Sequence, residues 1–305
     1  LLCLTICCAA ALAGCTNEQA YFSANLVEIQ ARQNADSPIT EDQKQQMANM
    51  LLALFGTPDE PNAFAGDDQL KDEKETPLKR FGFDVDKLKL AAGPSFVDGE
   101  HTQHGLYRRH CAHCHGVTGD GKGPTAPFLN PYPRDYRQGK FKFKSTFGPA
   151  KPTHDDLKHI LIEGIPGTAM PSFKLLPDNE IEALVEYVKY LSVRGQTEIK
   201  LIEGVVFDEA VPAIADVAGG FPLPVDDQGH PDPAEQPAPE NIVASALFEW
   251  GVAPTRVIYP VTPNLNLDDH AVLAASIERG RELFYSAKLK CSNCHGDAAL
   301  GDGET

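Results

Sequence analysis

The stretch Leu106-Tyr107-Arg108-Arg109-His110-Cys111-Ala112-His113-Cys114-His115-Gly116 decides how this chain is read. Its two cysteines stand about one helical turn apart, and a histidine follows the second directly. A second copy, Cys291-Ser292-Asn293-Cys294-His295-Gly296, lies near the other end of the sequence. The surroundings repeat as well: Leu106-Tyr107 is paralleled by Leu283-Phe284, and Gly119-Asp120-Gly121 by Gly301-Asp302-Gly303. The chain therefore reads as one complete module and the opening of another, which is expected to be truncated ten residues past His295.

Three chemistries use paired cysteines. A structural zinc site needs four ligands, and the two pairs could supply them only by coming together from equivalent points of separate modules. A thioredoxin-like dithiol has no use for the following histidine and sits in a βαβ pattern that is absent here. Covalent haem needs all three residues. Two thiols on one turn reach adjacent vinyl groups of the porphyrin, and the next histidine lies under the iron. The sequence thus predicts two haem c groups, bound by Cys111 and Cys114 and by Cys291 and Cys294, with His115 and His295 as proximal iron ligands.

The sixth ligand separates electron transfer from reaction at the iron. Of three methionines, Met47 and Met50 share a helical face and read as core. Met170 stands in Gly164-Ile165-Pro166-Gly167-Thr168-Ala169-Met170-Pro171, a Gly/Pro loop that can present a side chain without disturbing a helix. It is expected to be the distal iron ligand, with a gap-filling core methionine as the competing role. His154 and His159 are weaker distal candidates. His101, His104, His110 and His113 crowd the first motif as solvated or neighbouring residues. The basic run Arg134 to Lys144 could hold haem propionates or guide a partner, or be an ordinary solvated loop.

Residues 96–195 resemble a class I cytochrome c domain, through the Leu-aromatic step, Cys111-Ala112-x-Cys114-His115-Gly116, the Gly167-x-x-Met170-Pro171 loop and a last helix with Tyr187 and Leu191. The resemblance implies a mainly α fold, helical haem domains joined by long Pro/Gly-rich loops, in which the first and last helices cross. It also implies a glycine three residues before the leucine. Gly280 supplies it in the second module, whereas the first has Gln103.

Outward from that module, residues 1–15 are apolar and end in Leu12-Ala13-Gly14-Cys15, which resembles a bacterial lipoprotein cleavage box with Cys15 as the lipidated residue. An uncleaved hydrophobic anchor is the alternative. The chain begins with Leu, so the basic start of the signal is expected to precede it. Either reading exports the protein to a bacterial periplasm or cell surface, attached to a membrane. Residues 16–95 predict one helix, from the start signal at Ser37 to Thr40 through Phe55, stopped at Gly56, with loop over 58–94. A closing helix is expected from Asp178, ended by Gly195. Residues 196–270 read as a Pro-rich linker or excursion, with no packed core over 208–240. Residues 271–305 open the second haem domain.

Composition bounds the partners. Forty-three acidic against twenty-seven basic residues give a net charge of −16, which excludes nucleic acid. A 42% hydrophobic content permits ordinary cores, and no cysteine outside the two motifs and the first fifteen residues remains for a disulfide framework. The expected function is an extracytoplasmic dihaem electron carrier between respiratory redox proteins, a donor and an acceptor, with no small-molecule substrate. A peroxidase-like dihaem enzyme with one open iron, and a fixed haem subunit of a larger respiratory complex, are the alternatives.

Overall fold

The computed structural model describes residues 19–32, 38–62, 81–208, 210–218, 224–238, 240–300 and 303. The expectations for Cys15 and for a start signal at Ser37 lie outside them. Two compact units divide the chain, Leu1–Ile258 and Tyr259–Thr305.

In the first unit, α1 (Leu26–Arg32) and α2 (Glu41–Phe55) come first. Thr40 caps α2 with a reciprocal pair: its hydroxyl accepts from the Gln43 N–H, and the Gln43 side chain accepts from the Thr40 N–H. Met47, Met50, Leu51, Leu54 and Phe55 form its buried face, so both methionines are core. Next comes α3 (Val85–Ala91), capped by Asp84 within a stretch expected to be loop. Seven residues with only Val85, Leu88, Leu90 and Ala91 apolar give a weak helical signal, and tertiary packing decides the state.

A short antiparallel pair, β1 (Phe96–Val97) and β2 (Gln103–His104), sets Phe96 opposite His104. Gly105 then turns the chain at φ 66° into α4 (Leu106–His110). A side chain there would meet the Pro94 carbonyl oxygen at 2.1 Å. Because α4 starts only at Leu106, Gln103 belongs to β2 and no residue at that position enters a helix crossing. Cys111 ends α4 and begins the turn of α5 (Ala112–His115). Thr153 and Asp156 form a second reciprocal cap on α6 (His154–Glu163).

The organising element is α7 (Asp178–Asp208), 31 residues long. The expected stop at Gly195 is absent, and the helix continues for thirteen residues beyond it. Gly195 meets a different need. A Cβ there would lie 2.2 Å from Arg137 Cα and 2.5 Å from Arg137 O, so the glycine admits a crossing backbone. Leu106 and Tyr107 of α4 pack on α7, with the Tyr107 and Tyr187 rings 4.6 Å apart. The segments before α4 cover the rest of that helix. The Tyr187 hydroxyl donates to Pro58 O at 3.1 Å, and the Tyr190 hydroxyl to Phe55 O at 2.5 Å.

The remainder of the unit is also more ordered than a linker. After α8 (Ile214–Ala218), α9 (Ile242–Gly251) buries Val243, Leu247, Phe248 and Trp250, and Val217 is 1% exposed. Proline hides such segments from composition, because it marks turns whether or not the residues between them pack. In the second unit, Asp269 caps α10 (His270–Tyr285), which precedes α11 (Cys291–His295). Among the described residues no helix is long and apolar enough to cross a membrane.

Candidate functional site

The bend at Cys111 puts both thiols of the first motif on one turn, with the His115 N–H donating to Cys111 O at 2.9 Å. Cys111 is buried, and burial pushes its thiol up to about 12. A redox-active dithiol needs the opposite shift, toward thiolate. Cys114 is half-exposed, 3.2 Å from the Thr125 hydroxyl. Among the described residues no three His, Cys, Asp or Glu side chains are grouped to hold a metal ion. Past the motif the chain folds back so closely that a Cβ on Gly123 would lie 2.4 Å from His113 O.

His115 is fixed by one short segment. Its Nδ1–H donates to the Arg134 carbonyl at 3.0 Å, which assigns the proton to Nδ1 and the lone pair to Nε2. The Tyr136 ring stacks on the imidazole, 4.6 Å between centroids and 19° from parallel, with its hydroxyl donating to Nε2 at 3.1 Å, a bond that iron at Nε2 would replace. Burial is the main cause holding the imidazole below its ordinary value, outweighing the opposing hydrogen bond to Arg134. The ring is therefore neutral near pH 7, as a ligand must be.

The Met170 loop is pinned by its own backbone. Ile165 N donates to Met170 O, Met170 N donates to the Thr168 hydroxyl, and Gly164 at φ 69° leaves no room for a side chain against Met170 O and Pro171. Cys111, Cys114, His115 and Met170 line one cavity of about 560 Å³. Its walls are apolar: Val185 and Val188 from α7, Leu157, Ile160 and Leu161 from α6, and Phe173. The volume suits a cofactor of ordinary size. Paired thiols, a neutral imidazole and a thioether in apolar surroundings are the donor set that covalent haem uses.

The other expectations separate. His110 and His113 line the cavity, whereas His154 and His159 do not. His154 instead faces Glu182 at 2.9 Å and Glu186 at 3.5 Å, and His104 binds Asp98 at 2.8 Å. Of the basic run, Arg134 and Lys142 reach the cavity rim, while Arg137 turns inward to Asp135. Tyr136 and the Arg134 carbonyl were not picked out as site groups from the sequence; a backbone carbonyl carries no residue-type signal at all.

The second motif repeats the local geometry. Gly296 has φ 74°, as Gly116 has 75°, and a Cβ on Gly303 would lie 2.0 Å from Asn293 O. That contact pairs Gly303 with Gly123, so the glycine repeat runs two residues later than the sequence alignment placed it. The hydroxyl returning to the backbone after the histidine also shifts: Tyr107 donates to Gly116 O, and Tyr285, not Phe284, donates to Asp297 O. No residue of α10 or α11 is buried, and His295 is exposed.

The cytochrome c family model matches residues 104–192. A search of the curated proteins finds no match. Among solved structures, a chain of the reducing HAO-like protein complex of Kuenenia stuttgartiensis is similar at 22% identity and a TM-score of 0.35, over 68% of this chain and 66% of that one. This chain thus spans a little under two thirds of that relative's length. The matched segment holds the first cysteine pair, His115, Met170 and the half of α7 that walls the cavity. Residues 104–192 are a cytochrome c domain, the kind of domain that binds haem for electron transfer.

Proposed function

We propose that this chain is an extracytoplasmic dihaem c-type cytochrome that carries electrons between a protein donor and a protein acceptor. The observation that carries the reading is the convergence of a tautomer-fixed His115 and Met170 on one apolar cavity whose wall also holds both thiols. Haem c supplies a one-electron Fe(III)/Fe(II) couple. Cys111 and Cys114 would tether it, His115 and Met170 would ligate its iron, and the apolar walls would exclude water. Arg109, Arg134 and Lys142 at the rim give a basic surface in a chain of net charge −16, fitted to haem propionates or an acidic partner. Cys291, Cys294 and His295 hold the second haem, and Cys15 carries the lipid that keeps the protein at a membrane.

The test is the visible spectrum of the haem-matured full chain with its haem content. Two haems per chain and a methionine–iron charge-transfer band that disappears in Met170→Ala support the carrier. One haem per chain sinks the dihaem reading, and a band untouched by Met170→Ala sinks the ligand assignment. Rapid carbon monoxide binding confined to the second haem would instead bring forward an enzyme with one open iron.

A further inference from the structure

The ring stacked on His115 is the first of three. Tyr136 stacks on Phe141 at 6.3 Å, and Phe141 meets Trp250 edge to face at 5.8 Å and 75°. Tyr136 and Trp250 are buried, at 8% and 5% exposure. Trp250 belongs to α9, outside the segment that matches the cytochrome c family. A buried tryptophan ordinarily satisfies its N–H, yet Nε1 of Trp250 has no hydrogen-bond partner among the described residues. The site keeps the indole for its shape, as the outer stop of a ladder whose inner end is the imidazole. The ladder also holds the loop from Arg134 to Phe141, which carries the carbonyl that fixes Nδ1 of His115.

We propose that Trp250 is a positioning residue for His115, acting through Phe141 and Tyr136, so that it buttresses the His115 side of the haem site from behind Phe141. The proposal rests on the haem reading of Cys111, Cys114 and His115. The carbonyl hydrogen bond makes the imidazole a stronger donor, which favours the more positive, oxidised iron. Shortening the ladder loosens the 134–141 loop, weakens that bond and raises the reduction potential of the first haem.

The experiment is a potentiometric titration of the haem-matured full chain carrying Cys291→Ala and Cys294→Ala, so that only the first haem responds. Trp250→Leu and Phe141→Leu are each expected to raise the potential, and Trp250→Phe, which restores a ring, to return most of the shift. In a Tyr136→Leu background Trp250→Leu is expected to add little, because the ladder is already cut. Phe141→Leu leaves α9 in place and reads the ladder even where Trp250→Leu folds poorly. An unchanged or lowered potential in both leucine variants overturns the proposal, as does a Trp250→Leu shift that adds fully to Tyr136→Leu. Absence of haem from the chain with Cys111 and Cys114 intact would instead overturn the haem reading itself.

Discussion

Gly195 and Gly204 lie on the same helix and have opposite surroundings, which makes alanine at each a paired experiment. Around Gly204 nothing lies within 4 Å of an added Cβ, so Gly204→Ala gains only helix propensity, about 1 kcal/mol. At Gly195 the same gain meets the Arg137 backbone at 2.2 Å, and ordinary contact begins at 3.4 Å. The crossing segment would have to retreat by about 1.2 Å, and a backbone cannot rotate away as a side chain can. Overpacking of this kind costs about 1–3 kcal/mol, and the absence of a rotamer escape puts it at the upper end. The expected net effect of Gly195→Ala is a loss of about 2 kcal/mol, and the two variants should differ by about 3 kcal/mol. Guanidinium unfolding of the haem-matured protein, followed by helix ellipticity, measures it. Melting temperatures should diverge by about 2–4 °C for each kcal/mol. The displaced segment carries Tyr136 and Arg134, so the potential of the first haem should move with the stability. A Gly195→Ala protein as stable as the wild type would refute the close approach.

Three further outcomes follow from buried groups. Lys151 is buried with its amine on Gly139 O, and burial lowers it from 10.5 to about 8. Between those values the unfolded chain binds the proton that the folded chain has released, so stability rises with pH across that window, by about 3 kcal/mol, and Lys151→Met should flatten the rise in pH-dependent denaturation. Lys189 and Glu186 pair at 2.6 Å with both side chains buried; Lys189→Met leaves the carboxylate with Asp84 N and His154 as its remaining partners and should cost about 3 kcal/mol, the lower end for a broken buried pair. Adding Glu186→Leu should recover part of that loss, and a double variant no better than the single one would show that the pair is not the source. Tyr190→Phe strips the donor from Phe55 O and should cost about 1 kcal/mol in urea unfolding, with an unchanged midpoint arguing against this contact.

What the sequence made legible was the part written in residue types. Covalent attachment demands two cysteines and a histidine at fixed spacing, so Cys111, Cys114 and His115 could be grouped without a fold, and the structure places them with Met170 on one cavity. The surroundings of His115 were not legible, since they consist of a carbonyl at Arg134 and the Tyr136 ring, backed by Phe141 and Trp250, which meet only when distant segments fold together. Gly195 misled for a specific reason. A glycine that ends a helix and one that admits a neighbouring backbone are the same letter, and only the crossing at Arg137 tells them apart. The weak apolar pattern of α3 hid that helix, whose place depends on α7 beneath it.

That dependence bears on what the segments before residue 96 are for. A helix closing a small domain ordinarily keeps one face in water. On α7 the polar residues Glu186, Lys189, Ser192, Arg194, Thr197 and Glu198 are buried along with the apolar ones. Each of these charges has an internal partner, and several partners come from the earlier segments. Glu186 accepts from Asp84 N, Lys189 reaches Gly82 O and lies over the Phe83 ring, and Glu198 accepts from Asn25 N while pairing with Arg194. Without those segments, Tyr187, Tyr190 and Leu201 would face water on a helix whose other side walls the cavity through Val185 and Val188. The cytochrome c domain of this chain is therefore stabilised from outside its matched boundaries. A fragment cut at residues 104–192 would carry Cys111, Cys114, His115 and Met170 and lack the cover that keeps α7 in place.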